Sequence, residues 1–290
     1  MRKAFVPVGC GRCYECRKQK AQQWRVRLME ELKVWKYAYF ITLSFAPEEL
    51  EKLCEKYGLV ECNAAAGKAI RNMLERYRKV HKHSLKHWFI TELGHQGTER
   101  IHLHGLIFDN EQWNNERVQN LWKYGNTFTG DYCTEKTINY VIKYMLKIDK
   151  DHKDYKSEIF CSPGIGKSFV ENKYNKACYK YIPGNTNETY TLNNGYKVAL
   201  PIYYRNKLYT EKERDMMWTD RLNKNEIYVN GIRCTKLNTT KGQSLYKKLL
   251  KDQQVWNKKI GYGDLSREWE AKDYNVTLRM LNKEKKRYSF

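Results

Sequence analysis

Apolar and polar residues alternate along four short stretches of the first half of the chain, and recur at helical spacing along others. Tyr37 to Phe45 (YAYFITLSF) is aromatic and β-branched, which predicts a strand. Trp88 to Leu93 and Ile101 to Phe108 read as two more strands, and the turn from Gly94 to Arg100 makes them a hairpin. Thr127 to Cys133 reads as a fourth. Pro47-Glu48-Glu49 opens a helix of one or two turns. Residues 64–82 carry Ile70, Met73, Leu74, Tyr77 and Val80 on one helical stripe, and Asn115 to Lys123 predicts a short helix. Thr134 to Ile148 places Ile138, Val141, Ile142, Met145 and Leu146 at i, i+3, i+4 spacing, the pattern of an amphipathic helix. Strands and helices in this order predict an α+β fold, a central antiparallel sheet with helices on one or both faces.

Outside that region the pattern weakens. Residues 1–36 read as a basic, cysteine-containing N-terminal arm. Residues 37–150 form the expected core, and 151–290 a basic C-terminal extension able to pack on it. Short strand-like pieces such as Lys197 to Tyr204 lie between Gly and Asn turns, and the tail from 240 reads as a basic helix. There is no internal repeat and no low-complexity tract.

The 290 residues allow one large domain or two modest ones, and 41% hydrophobic residues suffice for a packed core. Charge changes the picture more. Lys plus Arg number 54 against 33 acids, a net charge of +21, which implies a polyanionic partner, above all nucleic acid. No apolar run approaches the roughly 18 residues of a membrane span, and the N-terminus lacks the apolar stretch of a signal peptide, so no membrane partner is expected. Nine cysteines without an export signal read as thiols or metal ligands, not as a disulfide framework. The 23 tyrosines add stacking surfaces suited to single-stranded DNA.

Candidate chemistry concentrates in two places. In Ile101-His102-Leu103-His104-Gly105 the strand period of two turns His102 and His104 to one face and Leu103 to the other. Two adjacent imidazoles can grip one divalent metal, and the hairpin brings Glu92 close enough to be a third ligand. In Tyr140-Val141-Ile142-Lys143-Tyr144-Met145-Leu146-Lys147 the two tyrosines share a helix face, bordered by Lys143 and Lys147. A phenol can attack phosphorus when lysine charges and a metal-bound phosphate favour it. Two other motifs read differently. Gly164-Ile165-Gly166-Lys167-Ser168 suggests a phosphate loop, but Cys161 stands where the first glycine of that motif belongs. Cys10, Cys13 and Cys16 could hold a structural zinc with a fourth ligand such as Cys161 or Cys178, or remain thiols in a DNA-contacting arm.

Taken in this order, HLH and the YVIKY helix resemble the HUH endonucleases, in particular the two-tyrosine replication initiators of microviruses of the gokushovirus type. Phe40-Ile41-Thr42-Leu43-Ser44 resembles their first-strand motif. Ile90-Thr91-Glu92-Leu93-Gly94 resembles the strand that supplies an acidic ligand, with Thr91 and Leu93 where Gly and Tyr are expected. Ser162-Pro163-Gly164-Ile165-Gly166-Lys167, Leu200-Pro201-Ile202-Tyr203-Tyr204 and the cysteine segment from Cys10 to Lys18 are similar to further parts of that initiator. The resemblance spans about residues 7–210. It implies a ferredoxin-like plait and a site-specific nickase and strand transferase that starts rolling-circle replication. Tyr140 and Tyr144 would be nucleophiles assisted by Lys143 and Lys147, and Mg²⁺ or Mn²⁺ would be held by His102, His104 and Glu92. The implied product is a 5′-phosphotyrosine with a free 3′-OH. The implied partners are single-stranded DNA at the viral origin and the host replication machinery, in the bacterial cytoplasm. Two other readings compete: a non-catalytic single-strand binder with a structural zinc, and a one-tyrosine transposase of the same superfamily, against which the second tyrosine speaks.

Overall fold

The computed structural model describes residues 11, 13–94, 100–147, 155–225 and 227–260. A first compact unit ends at Ile227 and a second begins at Tyr228. The first contains helix α1 (Tyr14–Leu32), strand β1 (Tyr37–Ser44), helices α2 (Pro47–Tyr57) and α3 (Cys62–His81), and strands β2 (Lys86–Leu93) and β3 (Ile101–Asp109). Helix α4 (Asn115–Leu121), strand β4 (Thr127–Thr129) and helix α5 (Glu135–Ile142) follow, and then a 3₁₀ turn at Lys143–Met145. Beyond it lie β5 (Ile159–Cys161), α6 (Ser168–Glu171), α7 (Lys173–Cys178), the ribbon β6 (Thr189–Thr191) and β7 (Lys197–Ala199), α8 (Ile202–Leu208) and α9 (Glu211–Asn223). The second unit holds a short two-stranded sheet, β8 (Ile227–Val229, which crosses the boundary) with β9 (Ile232–Cys234), and helix α10 (Thr240–Lys259).

The fold is α+β, as expected. Five strands pair in the order β4-β1-β3-β2-β5, every pair antiparallel. Both faces are covered. Ile41 and Leu43 of β1, Phe89 of β2 and Leu103 and Ile107 of β3 pack on α2, α3 and α4 through Leu53, Ala66, Ile70, Met73, Tyr77 and Val118. On α3 the expected stripe is buried at Ile70, Met73 and Tyr77, but Val80 is exposed, near the point where the helix stops. The opposite face presents Ala38, Trp88, Ile90, Leu106 and Phe108 to α1, to α5 and to the chain beyond residue 155. Each buried side chain of this size stabilises by about 1.5–3 kcal/mol, so both layers matter. Gly105 lets β2 and β3 close up, since a Cβ there would strike the Phe89 ring and the Trp88 carbonyl.

Helix α1 occupies much of the stretch expected as a basic arm, and it packs against the sheet through Val26, Leu28 and Met29. It is held from far along the chain. The Arg27 guanidinium lies over the rings of Trp24 and Tyr203, 4.2 Å from each, and its Nε donates to the Ile165 carbonyl at 3.0 Å. The Glu31 carboxylate accepts from the Gly166 amide at 2.5 Å and from Trp35 Nε1 at 2.7 Å. Gly166 has φ +72°, and a Cβ on it would collide with the Tyr204 hydroxyl and the Arg27 backbone. The glycine loop at 164–166 therefore clamps α1. The Gly166 amide is engaged by a carboxylate, which agrees with the incomplete phosphate-loop motif.

Candidate active site

One face of the sheet changes character along its strands. Cross-strand register sets Phe40 beside Leu106 and Leu106 beside Trp88, an apolar row. The next row toward the hairpin is Phe128, Thr42, His104 and Ile90. The row after that is Ser44, His102 and Glu92. His102, His104 and Glu92 therefore share one face at one end of the sheet, as strand periodicity predicted, while Leu103 is fully buried on the other side.

His104 is held by several partners. Its Nδ1 lies 3.1 Å from Thr42 Oγ1 and its Nε2 lies 2.8 Å from Glu92 Oε2. Its ring lies nearly parallel to two others, Phe40 at 6.1 Å and Tyr144 at 4.2 Å. Glu92 also receives the Lys147 ammonium. Burial alone would raise the Glu92 pKa, but the hydrogen bonds from His104 and Lys147 outweigh it and hold the carboxyl below its ordinary value. Burial pushes the His102 pKa down, so that imidazole is neutral at pH 7, the form that can ligate a metal. His102 and Ser44 also border a cleft of about 220 Å³ lined by Phe45, Pro47, Arg100 and Asn126.

The tyrosines enter from α5 and the turn after it. Thr134 caps α5 in a capping box with Thr137, and Ile138, Val141 and Ile142 bury the inner stripe. The helix predicted to run to Ile148 instead ends at Ile142 and tightens into the 3₁₀ turn, a common way for the last turn to satisfy its carbonyls. Tyr140 and Tyr144 still meet. Their rings pack edge to face, 5.5 Å apart, and the Tyr144 hydroxyl donates to the Tyr140 oxygen at 2.8 Å. Their environments differ sharply: Tyr144 is 8% exposed and Tyr140 is 44% exposed. Burial, reinforced by the hydrogen bond to Tyr140, raises the Tyr144 pKa well above the ordinary phenol value. The Lys143 ammonium sits 3.7 Å from the Tyr140 ring centroid and 5.5 Å from that of Tyr144.

All seven residues expected from the sequence belong to this one region: Glu92, His102, His104, Tyr140, Lys143, Tyr144 and Lys147. Sequence reasoning assigned no role to Phe40 or Thr42, although their alternation with Ile41 and Leu43 already put them on the histidine face. Two histidine nitrogen donors and a carboxylate suit a divalent cation that accepts mixed N/O ligands. Among the described residues, no three His, Cys, Asp or Glu side chains are already spaced to hold a metal, and Glu92 is engaged by His104 and Lys147 instead. Of the proposed zinc cysteines, Cys10 lies outside the described residues, Cys13 is the N-cap of α1 and Cys16 lies in its first turn. Among the described residues, no helix is long and apolar enough to cross a membrane.

Comparison with known proteins adds two similarities. Residues 38–149 match the ORF2 family of replication-associated proteins, a span that contains all seven residues above. The chain is also 24% identical over 220 residues to the replication-associated protein VP4 of Bdellovibrio phage phiMH2K, covering 68% of this chain and 65% of that protein, just under two thirds of the relative's length. No solved structure matches.

Proposed function

We propose that the chain is a site-specific single-strand DNA endonuclease and strand transferase of the HUH type, which initiates phage rolling-circle replication through a 5′-phosphotyrosine intermediate. The similarity to replication-associated proteins supports a role in phage replication initiation. The observation that carries the finer reading is the stacking of Tyr144 on His104, which joins a tyrosine pair to a histidine pair at the open end of one sheet face.

His102, His104 and Glu92 would hold a divalent cation, Mg²⁺ or Mn²⁺. When bound, it would supply Lewis-acid polarisation of the scissile phosphate. Tyr140 is the better first nucleophile, because its oxygen is accessible and accepts the Tyr144 hydrogen bond, a donor aimed at the atom that carries charge during attack. The Tyr140 oxygen bonds to phosphorus as its proton passes to solvent. The bond from phosphorus to the 3′ oxygen breaks, and that oxygen leaves as a free 3′-OH. Lys143 and Lys147 lie where they can offset phosphate charge. With Tyr140 occupied, Tyr144 attacks the regenerated site and releases the first 5′ end, so no nucleotide cofactor is needed. Single-stranded DNA at the origin and the host polymerase that extends the 3′-OH are the partners this chemistry requires, and the bacterial host cytoplasm is where they meet.

The test is incubation of the full chain with end-labelled single-stranded origin DNA and Mn²⁺, followed by a denaturing gel. A covalent adduct on the fragment with the cleaved 5′ end, absent with EDTA, is expected. Cleavage that persists in EDTA, or that leaves no adduct, overturns the assignment.

A further inference from the structure

Strand β4 places an apolar ring in solvent beside the site. Phe128 is 57% exposed, yet it lies in the row of Thr42 and His104, on the site face of the outermost strand. Its neighbours hold it there. Thr127 Oγ1 donates to Asn115 Oδ1 at 3.0 Å, and Thr129 Oγ1 to the same oxygen at 3.3 Å, so both threonines are tied to α4 on the opposite face. Strand alternation then leaves Phe128 no way into the core. The ring is also joined to the tyrosines. It meets Phe40 edge-on at 6.3 Å, and Phe40 in turn meets Tyr140 at 5.6 Å.

An exposed ring fixed at this place needs an occupant. Around it stand the Thr127 and Thr129 hydroxyls and, beyond Tyr140, the Lys143 ammonium, on a chain of net charge +21. That surrounding favours a flat π-system linked to a phosphate over an apolar protein segment. We propose that Phe128 is a stacking ledge for one unpaired base of single-stranded DNA, next to the nucleotide whose phosphate reaches the tyrosines. The ledge would fix the strand's position without reading its sequence, because every base has a face to stack. The inference rests on the DNA-cleaving reading above and deepens it by naming a positioning residue.

The test scores binding in EDTA, so it is readable whether or not the chain cleaves. The full chain is irradiated with an oligothymidylate containing 5-iododeoxyuridine, and the attachment point is mapped by mass spectrometry. Cross-linking at Phe128 is expected. Phe128→Leu keeps an apolar side chain without a π-face and should bind the oligonucleotide about tenfold more weakly, whereas Phe128→Tyr should restore binding. An attachment point elsewhere, or Phe128→Leu binding like the wild type, overturns the ledge and leaves the cleavage reading standing. A wild-type chain that binds no single strand overturns both, and an adduct-free chain that still cross-links at Phe128 overturns only the cleavage reading.

Discussion

The ring of Tyr144 lies flat on the imidazole of His104, with centroids 4.2 Å apart and planes 7° from parallel. One contact thus couples the element that would supply the nucleophiles to the strand that would supply metal ligands. Tyr144 is fixed by this stack, and Tyr140 by the Phe40 edge and the Tyr144 hydroxyl, so the two phenols are not equivalent.

That inequivalence predicts an order of attack. Tyr140→Phe should slow the first cleavage by roughly 10², since Tyr144 would have to attack from a displaced position. Tyr144→Phe should preserve most first cleavage and block the second transfer. The double change should abolish the covalent adduct. Peptide mapping of the trapped adduct checks the order, and an adduct first formed on Tyr144 would reverse it.

Thr42 fixes the imidazole of His104 through Nδ1 at 3.1 Å. Losing such an orienting partner typically costs 10–100-fold in metal affinity. Thr42→Val should weaken Mn²⁺ binding by about that factor, and Thr42→Ser should recover most of it. Calorimetric titration of the folded variants measures this directly, and unchanged Mn²⁺ affinity in Thr42→Val would count against the ligand assignment.

A pH dependence follows from burial. His87 is buried beside the Leu85 carbonyl and Ser162 Oγ, and burial lowers its pKa below the ordinary 6.5. His102 shifts the same way for the same reason. Below about pH 6.5 the unfolded chain takes up protons at these sites that the folded chain refuses, so stability falls as pH falls. The slope approaches about 1.4 kcal/mol per pH unit for each histidine. Glu92, held below its ordinary 4.5, adds a further loss under that value. Urea midpoints between pH 7 and 5 should show the decline, and His87→Gln should flatten it.

Gly166→Ala tests the clamp on α1. Alanine disfavours the +72° backbone angle, and its Cβ meets the Tyr204 hydroxyl and the Arg27 backbone. The expected cost is at least about 1–3 kcal/mol. A denaturant midpoint equal to that of the wild type would show that the loop does not hold the helix.

Much of the site was legible because its determinants are local. A period of two puts His102 and His104 on one face, the short hairpin sets Glu92 opposite His102, and i, i+4 spacing pairs the tyrosines. What escaped the sequence depends on partners far along the chain. Helix α1 buries Val26, Leu28 and Met29 together with Glu30 and Glu31, so no clean stripe marks it. Its buried carboxylates are satisfied by Tyr190 and by the Gly166 amide, more than a hundred residues away. The 3₁₀ turn at Lys143–Met145 and the burial of Tyr144 were equally hidden, because the stack on His104 comes from a different element. Phe128 looked like one more strand aromatic. Only the anchoring of its two threonine neighbours shows that it must face outward.

The apolar rows under the site have a practical meaning for dissecting the protein. Residues 38–149 hold all seven site residues but lack α1 and the segment from 155 onward, which together roof Trp88, Ile90, Leu106 and Phe108. A fragment trimmed to that stretch would leave half of a sandwich wet, and it would aggregate even with every reactive side chain present. The smallest autonomous piece must begin ahead of Tyr14 and continue past Tyr204, so the chemistry and the scaffold that keeps it soluble have different borders.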